Sequence, residues 1–192
     1  MKKIILSLAF LCTFAAASLG QQVISSSSGN TNNPYIGNID NEVKINFLNL
    51  IMLGSFEIGY EKFLSESHSI EFQGLFNDRY GYNNENDGKK YKTNSVQAAM
   101  HFYFGNNTSG RFHVFPLLKF RVGDFEEVID GAVKTTDMAA FILGAGFGYK
   151  WEVSEHFAFG PYASIARGFS EQVNERFSEI ELNGGFSLGY RF

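Results

Sequence analysis

Cysteine is nearly absent from this 192-residue chain: Cys12 is the only one, and it lies within the first twenty residues. That segment has the form of a cleaved export signal. Lys2 and Lys3 make a charged start, Ile4 to Ala17 an apolar stretch, and Ser18-Leu19-Gly20 a small-residue cleavage site. Residues 1–20 are therefore expected to be removed, leaving a mature chain from about Gln21. Phe10 and Leu11 before Cys12 are too bulky for a lipoprotein cleavage box. A mature chain without cysteine excludes disulfides and thiolate metal sites.

Basic residues are also scarce. Without Lys2 and Lys3, the remaining 14 basic residues face 20 acidic ones, a net charge of about −6. Nucleic acid is not expected as a partner. No segment after the signal reaches the roughly 18 consecutive apolar residues of a transmembrane helix. Only helices and closed barrels satisfy every backbone group in lipid, so an exported chain of this kind is soluble or a β-barrel. Proline is limited to three residues. Two of them, Pro116 and Pro161, fall inside strand-like runs and are expected to mark bulges or local breaks.

What is plentiful is phenylalanine, 21 residues, and glycine, 20 residues. The phenylalanines recur at alternate positions. After a polar tail, residues 21–41, with Ser25 to Asn30 at its centre, alternation runs to the C-terminus. It divides into eight strands: Glu42–Leu50, Ser55–Phe63, Ser69–Arg79, Thr93–Phe104, Phe112–Val122, Thr136–Trp151, His156–Arg167 and Phe177–Phe192. Most match the roughly 9–11 residues that cross a bilayer as a tilted strand. Short and long links alternate after the second strand, as periplasmic turns and extracellular loops do in outer-membrane barrels. The first loop, Ile51–Gly54, departs from this by being short and apolar. The pattern predicts an all-β fold: a closed, antiparallel, eight-stranded transmembrane barrel over residues 42–192, with both termini in the periplasm.

In such a barrel the apolar face points to lipid and the other face lines the lumen. The second face carries charge. Strand direction places Glu57, Lys119, Arg121, Glu179 and Glu181 in the upper lumen, and Lys44, Glu61, Glu71, Lys150 and Arg191 in the lower. Each set mixes acids with bases, and buried charges persist only when paired. Two layers of ion pairs plugging the barrel are expected. At the C-terminus, Phe186, Leu188, Tyr190 and Phe192 form an outward series ending at the periplasmic rim, suited to an aromatic girdle and to a C-terminal assembly signal.

The stretches Val43-Lys44-Ile45-Asn46-Phe47-Leu48-Asn49-Leu50 and Phe56-Glu57-Ile58-Gly59-Tyr60-Glu61 resemble a family of small outer-membrane barrels of Bacteroidetes-type bacteria, catalogued as a domain of unknown function and similar to OmpX- or OmpW-like barrels. The match is best over the first three strands. The resemblance implies a barrel and supplies no activity.

No catalytic, metal or cofactor residue stands out. Asn83 to Gly88 loosely imitates a calcium loop, but Asn94 stands where the closing Glu belongs, and a solvated loop with an Asp87-Gly88 turn accounts for it. His68, His101, His113 and His156 have no zinc spacing; His101 and His113 sit on neighbouring strands and are placed to meet. Tyr80, Tyr82 and Tyr91 mark an extracellular loop suited to recognition or to a barrel rim. The expected partners are outer-membrane lipid, the barrel-assembly machinery and an extracellular ligand or protein of unknown identity. The functional expectation is a plugged barrel with a structural or surface-interaction role, with a conduit or binder for small hydrophobic compounds and a lipid-A-modifying enzyme as alternatives. No catalysis and no cofactor are expected.

Overall fold

A computed structural model describes residues 40–78, 89–107 and 110–192. All belong to one compact unit, Thr31–Phe192. The elements are β1 (Asn41–Asn46), α1 (Phe47–Leu53), β2 (Phe56–Ser65), β3 (His68–Phe76), β4 (Lys90–Asn107), β5 (Gly110–Ile129), β6 (Ala132–Asp137), β7 (Ala140–Glu152), β8 (Phe157–Phe169), α2 (Glu171–Asn174) and β9 (Ile180–Arg191).

Every pairing is antiparallel. The ring runs β1-β2-β3-β4-β5-β7-β8-β9 and returns to β1, where Val43 lies opposite Tyr190. β6 pairs with β5 beyond the end of β7, so β6 and β7 share one position in the ring. The expected sixth strand, Thr136–Trp151, is thus divided at Met138-Ala139.

The ring is inverted relative to a soluble protein. Along each strand the outward positions are apolar and exposed: Phe72 is 61% exposed, Val96 64% and Leu182 64%. The inward positions are polar and sealed: Glu61 is 0% exposed, Arg121 1% and Arg191 1%. Period-two alternation makes this inevitable once register is set, because a one-residue slip would turn every charge outward.

The structure corrects further sequence expectations about elements. The first strand ends at Asn46 rather than Leu50. The Asn46 side chain accepts a hydrogen bond from the Asn49 N–H, and Gly54 closes the helix in a left-handed conformation at φ 63°. The apolar run that reads as strand and loop is therefore α1. The link 123–135 is mostly a hairpin. Asp130 and Gly131 both have positive φ, 51° and 79°, as a two-residue type I′ turn requires. The last strand begins at Ile180, not Phe177: residues 171–174 form α2, and the Arg176 and Phe177 N–H groups still donate to the Val173 carbonyl.

The prolines interrupt pairing without bulging it. β5 keeps one register with β7 through Pro116 opposite Ala145, and β8 keeps one with β9 through Pro161 opposite Phe186. On the other edge, the β4–β5 ladder skips from Ala99 opposite Leu117 to Phe102 opposite Val114. The β7–β8 ladder skips similarly near Pro161. The missing N–H thus costs ladder bonds on one side and leaves the alternation intact.

Candidate functional site

The near end of the ring holds both ends of the described barrel: Asn41 Nδ2 donates to the Phe192 carbonyl at 3.2 Å. The far end holds α1, the β5–β6 hairpin and α2. Interior side chains fall into layers between these ends.

The near layer balances four cations against four carboxylates. Lys44 Nζ is 3.0 Å from Glu61 Oε2 and 2.9 Å from Glu71 Oε2. Lys150 Nζ is 2.7 Å from Glu61 and 3.0 Å from Glu42. Arg111 and Arg191 both pair with Glu152. Tyr103 and Ser69 donate to Glu61 Oε1, and His101 Nε2 lies 2.6 Å from Glu71. Each buried ion costs several kcal/mol to desolvate, roughly, so several partners apiece are needed to hold it. The far layer is smaller. Lys119 and Arg121 share Asp78 and Glu181, with Arg121 Nη1 2.6 Å from Glu181 Oε1.

The structure brings Lys44, Glu61, Glu71, Lys150 and Arg191 together in the near layer, and Lys119, Arg121 and Glu181 in the far one. Glu57 faces inward but meets no cation among the described residues: it accepts from Asn49 at 2.7 Å, Asn46 at 2.9 Å and Tyr162 at 3.0 Å. Glu179 is a correction. It precedes β9, lies outside the barrel and pairs with Arg167, both side chains being about half exposed. Glu42, Arg111 and Glu152 belong to the near layer and were missed, although each shares the parity of charged neighbours on its strand. Asp78 carries no such signal. It follows Asn77, whose φ of 55° breaks the alternation of β3.

Beside the far layer lies an apolar cluster that was not foreseen. Tyr91, Phe125, Met138, Ile142 and Leu117 pack together, with Val173 of α2 and Phe177 closing over them. Tyr91 is therefore buried on the inward face of β4, 4.6 Å ring-to-ring from Phe125, and is not a loop residue. Pairing across the extended β5 draws the start of β4 to Lys90 and carries Tyr91 inside. Tyr80, Tyr82 and the loop Asn83–Gly88 lie outside the described residues.

His101 and His113 do meet, with ring centroids 5.1 Å apart. They line a cavity of about 30 Å³ with Lys44, Gln73, Gln97 and Tyr162. Glu71 Oε1, His101 Nδ1 and His113 Nδ1 find no hydrogen-bond partner among the described residues. A cavity that size holds about one water. Among the described residues, no three His, Cys, Asp or Glu side chains form a metal-holding group. His68 bonds Ser67, and His156 the Arg191 carbonyl, both at near-end turns. The outward series Leu188, Tyr190 and Phe192 is exposed beside Phe157, while Phe186 is half-buried against Phe159.

An antiparallel ring with an apolar outside and a paired, charged inside has the fold of the small outer-membrane β-barrels. The chain itself belongs to the family described as protein of unknown function (DUF3575), whose profile matches residues 10–191. Among solved structures it is similar to the N-terminal β-barrel domain of Pseudomonas aeruginosa OprF, at 15% identity and a TM-score of 0.50, over 81% of this chain and 99% of that one. It is also similar to Ail, the attachment invasion locus protein of Yersinia pestis (11%, TM-score 0.46, 80% and 99%), and to Neisserial surface protein A (12%, TM-score 0.45, 79% and 92%). No curated protein matches.

Proposed function

We propose that the mature protein is inserted in the bacterial outer membrane as a barrel whose lumen is plugged by side chains, with its far end and polar loops outside the cell and both termini in the periplasm. Its role is structural or one of surface interaction, and it makes no bond. The observation that carries this is the inversion of polarity. Exposed Phe, Leu, Ile and Val cover the wall, while Glu61, Arg121 and Arg191 are sealed inside. Only a hydrocarbon surround favours that arrangement. The β5–β6 hairpin supports a surface role, since it projects beyond β7 and exposes Val128, Ile129 and Val133 at its tip.

Fractionation and surface labelling test the placement. A Val133→Cys variant is expected in the outer-membrane fraction, reacting in intact cells with a membrane-impermeant maleimide. Recovery in a soluble fraction, or labelling only after lysis, overturns it.

One observation favours a second reading, a binder of small hydrophobic compounds: the apolar cluster beneath α2. Val173 and Phe177 fill it, so a ligand would have to displace them. Retention of a fluorescent fatty acid by the purified barrel, abolished by Leu117→Arg, would favour this reading over the plugged one.

A further inference from the structure

The wall of the ring has a gap at its far end. β9 pairs with β8 from Tyr190 down to Ile180, but with β1 only over Ser187–Arg191. β1 has 6 residues, short of the roughly 9–11 that cross a bilayer. From Ile180 to Phe186, the edge of β9 away from β8 therefore has no strand beside it among the described residues. That edge is patched by side chains. The Phe186 N–H donates to Asn46 Oδ1, the Gly184 N–H to Asn183 Oδ1 and the Ile180 N–H to Ser178 Oγ.

α1 follows β1 directly and packs against both β9 and β2. Asn49, its one buried residue, spans the gap: Nδ2 donates to Glu57 on β2 at 2.7 Å and reaches Asn183 on β9 at 3.4 Å. Asn46 spans it too, bonded to Glu57 and to the Phe186 N–H. The side-chain amides of Asn46 and Asn49 hold the helix inward. Its outward arc is apolar and without charge, with Ile51 66% and Met52 67% exposed beside Phe47, Leu48 and Leu50. Each such side chain contributes about 1.5–3 kcal/mol on full burial. The arc continues the exposed apolar belt of the neighbouring strands through Phe56 and Leu182.

We propose that α1 is a membrane-embedded piece of the barrel wall: it covers the open seam between β2 and β9, and its apolar arc binds lipid acyl chains in the leaflet at the far end. A helix suits this place because it satisfies part of its own backbone in hydrocarbon and is capped at its ends by Asn46 and Gly54, where a loop would leave more groups unpaired. The proposal rests on the reading that the barrel spans a membrane, and its test separates the two.

The test uses single-tryptophan variants in a Trp151→Phe background, reconstituted in phosphatidylcholine vesicles with and without brominated acyl chains. Val96→Trp, on the wall away from the seam, reports the membrane reading. Met52→Trp reports α1, with Ile51→Trp in its place should that variant fail to fold. Val133→Trp, on the hairpin, is the aqueous control. Loss of emission from Val96→Trp and Met52→Trp alike, with Val133→Trp unchanged, is the expected result. Loss at Val96→Trp with Met52→Trp as bright as Val133→Trp overturns the assignment of α1 and leaves the membrane reading standing. No loss at Val96→Trp overturns both.

Discussion

Lys150 Nζ lies 2.7 Å from Glu61 Oε2 although the two residues stand 89 positions apart, on β7 and β2. The contact crosses the barrel interior, and Glu61 gathers Lys44, Tyr103 and Ser69 as well. It is the hub of the near layer. Replacing it removes the one carboxylate that the two ammonium groups share and leaves Lys44 with Glu71 and Lys150 with Glu42.

Glu61→Leu is therefore expected to destabilise the folded barrel by about 3–5 kcal/mol, the usual cost of removing one partner from a buried ion pair. Urea unfolding in detergent or vesicles measures this. Glu179→Leu, at the exposed pair with Arg167, is expected to cost at most about 1 kcal/mol. Equal effects of the two substitutions would contradict the placement of these carboxylates.

Gly148 permits a close approach across the interior. A Cβ there would sit 2.7 Å from the His113 ring and 2.8 Å from the Pro161 carbonyl. Gly148→Val is expected to lower stability by about 1–3 kcal/mol through overpacking, read as a lower urea midpoint. A midpoint unchanged from wild type would show that the ring can move aside.

At the hairpin turn, Gly131 has φ 79° with open space around it. Gly131→Val therefore acts through backbone conformation alone, at about 1–2 kcal/mol. Faster hydrogen exchange confined to β6 and the end of β5 is the expected outcome. Loss of the whole barrel would mean that the hairpin is integral to the ring.

Phe192 is 56% exposed at the near rim, stacked on Tyr190. We propose that Phe192 acts in a rim girdle and as a terminal assembly signal; Phe192→Glu is then expected to reduce the amount of heat-modifiable, inserted protein in cells. Wild-type insertion of that variant would contradict both roles.

Much of this was legible because side-chain parity is rigid within a strand. Lys44, Glu61, Glu71, Lys150 and Arg191 could be assigned to one face from spacing alone. Parity fails where the backbone leaves the strand. Asn77 at positive φ brings Asp78 inside, and the bend before β9 leaves Glu179 out. α1 is hidden in the sequence because Phe47 to Leu50 reads equally well as strand and Ile51 to Gly54 as a loop, and only the capping by Asn46 and Gly54 distinguishes the helix. The hairpin does carry a signal in the sequence, the Asp130-Gly131 pair between Ile129 and Ala132, but the polar residues around it also suit a long loop. Tyr91 was misplaced because the strand boundary, drawn at Thr93, lay three residues beyond its position at Lys90.

The central claim is that the charged layers close the lumen. Single-channel recording in a planar bilayer tests it directly, comparing wild type with the double variant Glu61→Ala/Lys150→Ala. The account predicts no steady conductance for wild type and the appearance of openings in the double variant. A steady channel from the wild-type protein would contradict it.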